Sequence, residues 1–451
     1  MTKQVKIALV MAASLFMEIM DGTIVTTALP AIAKSFHIAS SQSSLLVSVY
    51  LITVAVFIPL SGWLGKRFGQ KQVWLVAVSI FSLSSLANAF APSFTWLLIA
   101  RVVQGISGSM MTPTARLIVL ARTAPKELLR MTSYFVWPAL IAPAIAPIIG
   151  GWLVTNWSWH WIFLINVPIG VVIMVLALRL LPNDWKMRAP HFDVLGFLLI
   201  GSASALLLLG GDLAASRMFV LAILAEIGAV CLLVWSVSHL RRTAAPLFSL
   251  SSMRITSFRV TQTGGFFLWL AVGAMPYMLT VFLQTGFGWS AVQAGAYVLF
   301  IFLGNIGIKP FTTSIITRMR YKGALLLAFA LVLLSALAFV AVTPTSPAAL
   351  IMFLAFVSGV GRSLALTAYN ALSFAEIPLA ERGDANTLNA VVQTLAQGLG
   401  VSLITVVVVL LHMNLSLIAS YHIGFVFLAA LTVYPLIETA LTDRKLGAGT
   451  L

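Results

Sequence analysis

The sequence predicts an all-α polytopic membrane protein. Of its 451 residues, 60% are hydrophobic and only 9% are charged, whereas about a quarter of the residues of a typical soluble chain are charged. A soluble fold of this length has too little interior to bury so much apolar surface. The net charge of +15 does not indicate a nucleic-acid partner, because the basic residues lie between hydrophobic spans.

Fourteen hydrophobic segments are long enough to cross a bilayer, whose apolar core of ~30 Å takes about 20 helical residues. Short connectors that carry turn residues separate them. The predicted spans are 7–29, 44–65, 73–91, 95–120, 132–154, 161–181, 193–211, 218–239, 258–283, 290–309, 323–342, 347–371, 386–411 and 422–440.

The placement of lysine and arginine predicts the orientation of these spans. Basic residues concentrate in every second connector, including the one predicted to run from Lys309 to Lys322. The connectors between them hold only Lys34 and Arg217. The positive-inside rule therefore places both termini in the cytoplasm.

The longer connectors divide the chain into three parts. Residues 182–191 and 239–257 bracket spans seven and eight. We therefore expect a six-helix bundle over 1–181, a linker with two additional helices over 182–257, and a second six-helix bundle over 258–451. Transporters are often built from two similar halves with the binding site between them at mid-membrane.

Two acids in the first span are the main candidates for function. Glu18 and Asp21 are three residues apart, so they lie on one helix face. A carboxylate at membrane depth costs at least ~2.5 kcal/mol on insertion scales and needs a cavity or a partner. We expect the two to couple protons or bind substrate; a buried polar cluster that holds helices together is the alternative.

Arg101 in span four needs a counter-charge or a polar cavity, because arginine stays protonated. Its depth in the membrane is within side-chain reach of the two acids. We expect it to pair with Asp21 or Glu18; hydrogen bonding to backbone carbonyls alone is the alternative.

The basic turn after span two has an unusual composition. It contains Gly62, Lys66, Arg67, Gly69 and Lys71. The glycines would let helix ends approach closely while the charges anchor the inner face; a turn that only sets the topology is the alternative.

Span five contains Pro143, Pro147, Gly150 and Gly151. Prolines and small residues at this spacing predict a kinked, tightly packed helix that can flex, with a purely structural interface as the alternative.

Polar side chains recur on helix faces that could meet in a central cavity. The candidate lining residues are Gln104, Arg362, Asn370, Asn389 and Gln393. Hydrogen bonding between helices is an equal alternative for each of them. The lone acids Glu226 and Glu438 are expected to be structural or interfacial.

No arrangement of residues in the sequence suggests catalysis, phosphate binding or metal binding, and the single cysteine, Cys231, excludes an intramolecular disulfide. We therefore expect no enzyme activity and no cofactor. Energy for transport would have to come from an ion gradient.

The chain resembles the major facilitator superfamily, and within it the fourteen-span drug:proton antiporters. Met20–Pro30 is similar to that group's first-span signature, 101–108 to its fourth-span motif, and 159–170 to its sixth-span signature. The resemblance implies a major facilitator fold, proton coupling through Arg101, a gating role for the loop Gly62–Lys71, and an antiporter motif in span five.

The chain departs from the family pattern at several positions. Lys66 stands where the gating loop normally has an aspartate, and Arg320 where the second half prefers glycine. Alanines at 139, 142 and 146 replace three glycines of the antiporter motif, and Thr26-Thr27 and Gln70 also differ.

We expect a proton-coupled multidrug exporter of lipophilic or cationic small molecules that works by alternating access in the bacterial inner membrane. Its expected partners are a small-molecule substrate, protons and membrane lipids, with the chain acting as a monomer. The alternatives are a transporter dedicated to one metabolite and a non-transporting membrane sensor.

Overall fold

The computed structural model describes residues 2–121, 123–182, 191–216 and 218–450. Within these ranges the chain is helical, with no β-strand. Arg217 and most of the connector 182–191, used above to predict orientation and domain boundaries, lie outside the described residues.

The seventeen α-helices of the described part are α1 Lys3–Phe36, α2 Ser40–Ser43, α3 Leu45–Phe57, α4 Leu60–Phe68, α5 Gln70–Ala89, α6 Phe94–Leu120, α7 Leu128–Asn156, α8 Trp161–Leu164, α9 Asn166–Leu180, α10 Val194–Ala215, α11 Phe219–Arg242, α12 Thr256–Val281, α13 Ala291–Gly307, α14 Lys309–Phe339, α15 Ala348–Ala375, α16 Arg382–His412 and α17 Leu417–Leu441.

The predicted class, an all-α polytopic membrane protein, is confirmed. In the described part of the chain, eleven helices are long and apolar enough to cross a membrane, and counting the bent pair α3 and α4 as one span brings the number to twelve. Predicted spans four and ten correspond to two helices outside this count. They are α6, which carries two arginines, and α13, which is shorter. The full number of fourteen crossings stays a prediction.

Two of the spans are broken. Helices α3 and α4 meet at an angle of 56°, where Pro59 lacks the N–H that would continue the helix. The tenth span was wrongly predicted to end at Lys309: α13 passes into α14, which runs on to a kink at Arg320 (φ 58°, ψ 172°). Lys309 is consequently buried, with 7% of its surface exposed, and does not lie in a basic connector.

The two additional helices form a pair beside the bundle. Helix α10 packs against α11, and also against α3 and α16. The carboxylate of Asp193 caps α10 by accepting from the Gly196 N–H at 2.8 Å and also accepts from the Leu247 N–H at 3.1 Å. The start of α10 is thereby joined to the connector that follows α11.

We call the end of the bundle that carries Lys66, Lys126, Lys322 and Arg444 the basic face, residues 2–181 the first half, and residues 258–450 the second half. At the basic face one apolar cluster contains residues of both halves, among them Leu120 and Phe374. At the opposite end two separate clusters form, each from one half. The structure therefore represents a conformation closed at the basic face.

Candidate functional site

The centre of the first half holds a buried ion pair between Asp21 of α1 and Arg101 of α6. The Arg101 Nη1 atom lies 2.6 Å from the Asp21 Oδ2 atom, and both side chains are fully buried. The pairing expected from membrane depth is therefore present. Burying two charges costs several kcal/mol per ion unless each is paired and hydrogen-bonded, so the surroundings of the pair matter.

Two amides complete the coordination of the carboxylate. Gln104 Nε2 donates to the Asp21 Oδ1 atom at 3.0 Å, and Asn166 Nδ2 donates to the same oxygen at 2.7 Å. Gln104 also donates to Ser85 and accepts from Asn88, both at 2.8 Å. Gln104, predicted to line a cavity, is thus fully buried within a network that fixes the carboxylate.

Arg101 is held by more than its charge partner. It donates through Nη1 to the Gln104 Oε1 atom at 2.7 Å and through Nε to the Leu46 carbonyl at 3.3 Å. Its guanidinium carbon lies 4.3 Å from the ring centre of Tyr50, a distance at which cation–π attraction is significant. The Nη2 atom has no partner in the described part of the chain.

The glycines of the fourth-span motif let α3 approach α6. A Cβ atom at Gly105 would overlap the side chain of Thr53 and press on the Tyr50 backbone, and one at Gly108 would lie 3.0 Å from the Tyr50 hydroxyl. This close approach brings the Tyr50 ring over Arg101.

Glu18 lies apart from the ion pair although it shares a helix face with Asp21. Its carboxylate is partly exposed and accepts a hydrogen bond from the Thr112 hydroxyl at 2.6 Å. The two acids thus have different surroundings: Asp21 is enclosed and Glu18 is accessible.

The basic turn contacts the second half through two residues. Lys66 Nζ lies 2.5 Å from the Asp384 Oδ1 atom, with the side chains 27% and 18% exposed. A Cβ at Gly62 would overlap the side chain of Thr387, so glycine lets α4 and α16 touch. Lys66, the basic partner of this ion pair, stands where the family pattern has an aspartate.

The remaining residues of the turn act within the first half. Gly69 ends α4 with a φ of 92°, a backbone conformation that glycine adopts most readily. Lys71 Nζ donates to the Leu181 carbonyl at 2.8 Å, and Arg67 is exposed.

The beginning of α16 makes two more contacts across the halves. Arg382 Nη1 donates to the Leu120 carbonyl at 2.7 Å, and Asn386 Nδ2 donates to the Pro113 carbonyl at 2.9 Å. Together with Lys66 and Asp384 they close the basic face.

Helix α7, which carries the antiporter motif, is continuous and packs along α1. Gly150 lies against Thr27 and Ile24 of α1, where a Cβ would overlap their side chains, whereas Gly151 has open space around it. Pro147 is exposed and Pro143 is partly exposed.

The three alanines that replace glycines at 139, 142 and 146 are buried. They maintain a small-residue surface on α7, which faces α1.

The candidate lining residues of the second half have varied surroundings. Arg362 is buried and donates through Nη2 to the Val272 carbonyl at 2.6 Å, while its Nε and Nη1 atoms have no partner in the described part of the chain. Asn389 accepts from Gln262 at 3.1 Å, Asn370 is buried, and Gln393 is partly exposed. The structure does not bring these residues to Asp21.

Three residues of the site had no signal in the sequence analysis. Asn166 lay inside a recognised signature without a role of its own. Asp384 contacts a lysine 318 residues away, which no local pattern reveals. Lys309 was assigned to a connector; in the structure its Nζ atom donates to the Thr367 hydroxyl at 2.6 Å.

Comparisons with known proteins agree with this architecture. The family model of the Major Facilitator Superfamily matches residues 11–401. A protein of Enterobacter sp. (strain 638) that carries the multidrug resistance name MdtD is 33% identical over 397 residues, 87% of this chain and 84% of the relative. The protein of the same name from Escherichia coli O6:H1 is 32% identical over the same length.

A solved structure also has a similar fold. The human organic anion transporter MFSD10 (TETRAN) superimposes with a TM-score of 0.74 over 97% of this chain and 100% of that chain, at 14% sequence identity. At this identity the likeness extends to the fold alone.

Proposed function

The chain belongs to the major facilitator superfamily, and from this we propose that it is a proton-coupled multidrug exporter that works by alternating access. The relatives named for multidrug resistance support the drug class. The observation that carries the proposal is the buried ion pair of Asp21 and Arg101. No cofactor is needed, because one proton charge crossing ~100 mV supplies roughly 2.3 kcal/mol.

Protonation of Asp21 is the step that would couple the proton to the conformation. The ionised carboxylate accepts from Arg101, Gln104 and Asn166. A neutral carboxyl group is a weaker acceptor and leaves the Arg101 charge buried without compensation. Uptake of a proton therefore destabilises this packing and favours a rearranged state in which Arg101 finds another environment.

Glu18 fits a role nearer to the substrate. Its side chain is partly exposed, and among the described residues its carboxyl group accepts a hydrogen bond from Thr112 and has no ion-pair partner. A cationic group of a substrate could therefore supply the missing partner. We assign substrate attraction to Glu18 and proton coupling to Asp21.

The contacts of α16 at the basic face provide the gate of the proposed cycle. The ion pair of Lys66 and Asp384 and the hydrogen bonds of Arg382 and Asn386 would break when the transporter opens on that side. The ion pair is partly exposed, so water can replace it at little cost. Arg382 and Asn386 are buried, so their two hydrogen bonds cost more to break.

The protein is a multi-pass membrane protein, and we further propose that it lies in the bacterial inner membrane with both termini cytoplasmic. The concentration of lysine and arginine at the basic face supports this orientation.

Transport into proteoliposomes tests the proposed activity. Vesicles with an acidic lumen should accumulate several unrelated lipophilic cations, such as ethidium and tetraphenylphosphonium, because protons leaving the lumen drive the cations inward. Vesicles without a pH gradient are the control. Movement of a single solute only, or movement that ignores the gradient, would contradict a multidrug antiporter.

A transporter dedicated to one metabolite is the second candidate. Lys309 and Arg362 are buried in the second half, and their hydrogen-bond partners are the Thr367 hydroxyl and the Val272 carbonyl. Two cations in such surroundings favour a solute with a negative charge. Screening small organic anions alongside the cations distinguishes the two functions.

A further inference from the structure

Helices α11 and α16 enclose a groove that the proposed transport cycle does not use. Its volume is about 520 Å³, within the range of ~300–1,000 Å³ typical of sites for small molecules. The lining side chains are apolar except for one carboxylate, one hydroxyl and the Cys231 thiol; among the apolar ones are Ile223, Ile227, Leu399, Leu403 and Val406.

The one charge in the groove belongs to Glu226. It lies seven residues from the start of α11, so about 10 Å from that helix end, in the half of the bundle opposite the basic face. The Glu226 Oε1 atom accepts from the Ser402 hydroxyl at 2.8 Å. The side chain is partly exposed, and no lysine or arginine stands among the described residues that line the groove.

Two glycines of α10 shape the floor beneath this carboxylate. A Cβ at Gly210 would lie 2.8 Å from the Glu226 Oε1 atom, and one at Gly211 would lie 3.2 Å from the Ser402 Cβ atom. Because these glycines have no side chain, the Glu226 carboxylate and the Ser402 hydroxyl fit between α10, α11 and α16. The position of Glu226 is therefore defined by packing on all sides except the groove.

An ionised carboxylate at membrane depth is costly unless a proton or a cation neutralises it. The groove offers one negative charge and a long apolar surface that is open towards the lipid. We propose that this groove is a lateral binding site for amphiphilic cations dissolved in the bilayer, with the cationic group at Glu226 and the apolar body along α11 and α16. A role of this site in loading or releasing exported compounds rests on the proposed function. The binding of an amphiphilic cation to the groove does not.

Charge complementarity selects this occupant over others. An anionic amphiphile would meet the Glu226 carboxylate with no basic residue to offset it among the described lining residues. A neutral chain would fill the apolar surface but would leave the charge unsatisfied.

Photo-crosslinking locates the bound molecule directly. The full chain is placed in phosphatidylcholine nanodiscs with a dodecyltrimethylammonium probe that carries a diazirine on its alkyl chain, and labelled peptides are identified by mass spectrometry. A quaternary ammonium remains charged at any pH. We expect labelling of α11 and α16 that saturates, and at least tenfold weaker labelling by the matched dodecyl alcohol probe.

Variants separate the site from general partitioning. Glu226→Gln keeps the size of the side chain and a hydrogen bond with Ser402, and should reduce labelling of the groove at least tenfold. Glu438→Gln removes the other lone acid and should change nothing. Leu403→Trp fills the groove and should abolish labelling while Glu226 is still present. Equal labelling of wild type and Glu226→Gln overturns the proposal.

Two further arms separate this inference from its competitors. Exchanging the lipid for phosphatidylethanolamine should leave the labelling in place; its loss would assign the groove to an aminolipid and overturn the proposed occupant. Asp21→Asn should label as wild type does, because the groove needs no proton gradient. A failure of the exporter hypothesis therefore leaves the groove intact, and a failure of the groove leaves the exporter intact.

Discussion

Two carboxylates three residues apart on α1 have different environments. The sequence predicts that both are unusual, and their helical spacing together with the depth of Arg101 predicts an ion pair. The spacing does not distinguish them. Their difference arises from the neighbouring helices. Helices α6 and α9 supply donors to Asp21, and α5 holds Gln104 in place. Among the described residues Glu18 accepts one side-chain hydrogen bond, from Thr112. The donors from α6 and α9 come from residues far away in the chain.

Asn166→Ala is expected to destabilise the first half. The mutation removes the donor at 2.7 Å from Asp21, and a hydrogen bond to a charged group contributes about 1.5–3 kcal/mol. Thermal unfolding of the purified protein should show a lower midpoint. Asn156→Ala is the control, because Asn156 is exposed and bonds only to its own helix. A similar midpoint in both variants would contradict the role given to Asn166.

Arg320→Gly is expected to stabilise the protein. Arg320 has a φ of 58° and a ψ of 172°, a region that is nearly exclusive to glycine and costs other residues about 1–3 kcal/mol. The family resemblance places a glycine here. Arg318→Gly removes the same charge from helical backbone and should destabilise by about 1 kcal/mol. Thermal midpoints that fall in both variants would show that the kink carries no strain.

At the scale of elements, the sequence predicts helices better than their breaks. Hydrophobic length is sufficient to find the spans, but it does not show that the chain continues from α13 into α14 at Ile308, between Gly307 and Pro310. The end of the tenth span was therefore placed too early, and Lys309 was assigned to a connector. Contacts between helices, such as α4 with α16, depend on tertiary packing, which hydrophobic periodicity does not encode.

The ion pair between α4 and α16 should tolerate exchange of its charges. Lys66 Nζ now lies 2.5 Å from Asp384 Oδ1. Lys66→Asp alone or Asp384→Lys alone places like charges at this contact and should weaken the closed basic face by about 1 kcal/mol or more. The double variant restores opposite charges and should recover wild-type transport. Closure is measured by the reaction of a water-soluble thiol reagent with a cysteine introduced by Leu120→Cys, a buried position in the apolar cluster of the basic face, in a background with Cys231→Ser.

Arg67→Asp is the matched control for this exchange, because Arg67 lies in the same turn and is exposed. It should leave closure unchanged. If the double variant is as impaired as the single variants, Lys66 and Asp384 act independently and do not form a latch.

At the scale of the whole molecule, the two halves share an apolar cluster and three polar contacts at the basic face, and form separate clusters at the other end. The sequence predicts two halves and a connecting pair of helices, but not which end is closed, because both conformations of an alternating-access protein use the same spans. In the proposed cycle this is the conformation in which Asp21 is paired with Arg101.

The central claim is that Asp21 couples proton movement to substrate movement. It is tested most directly by comparing two modes of transport in proteoliposomes: accumulation of a lipophilic cation driven by a pH gradient, and exchange of the same cation across the membrane without a gradient. Asp21→Asn cannot take up or release a proton at this position, so it should lose accumulation. It should retain exchange, which requires only the conformational change. Glu438→Gln is the control and should keep both modes.

The two possible outcomes for Asp21→Asn distinguish a coupling role of the ion pair from a structural one. Loss of accumulation with retained exchange in Asp21→Asn is the predicted result and identifies the ion pair with Arg101 as the coupling element. Gradient-driven accumulation that persists in Asp21→Asn would contradict the claim, and would leave the buried pair as a structural feature of the first half.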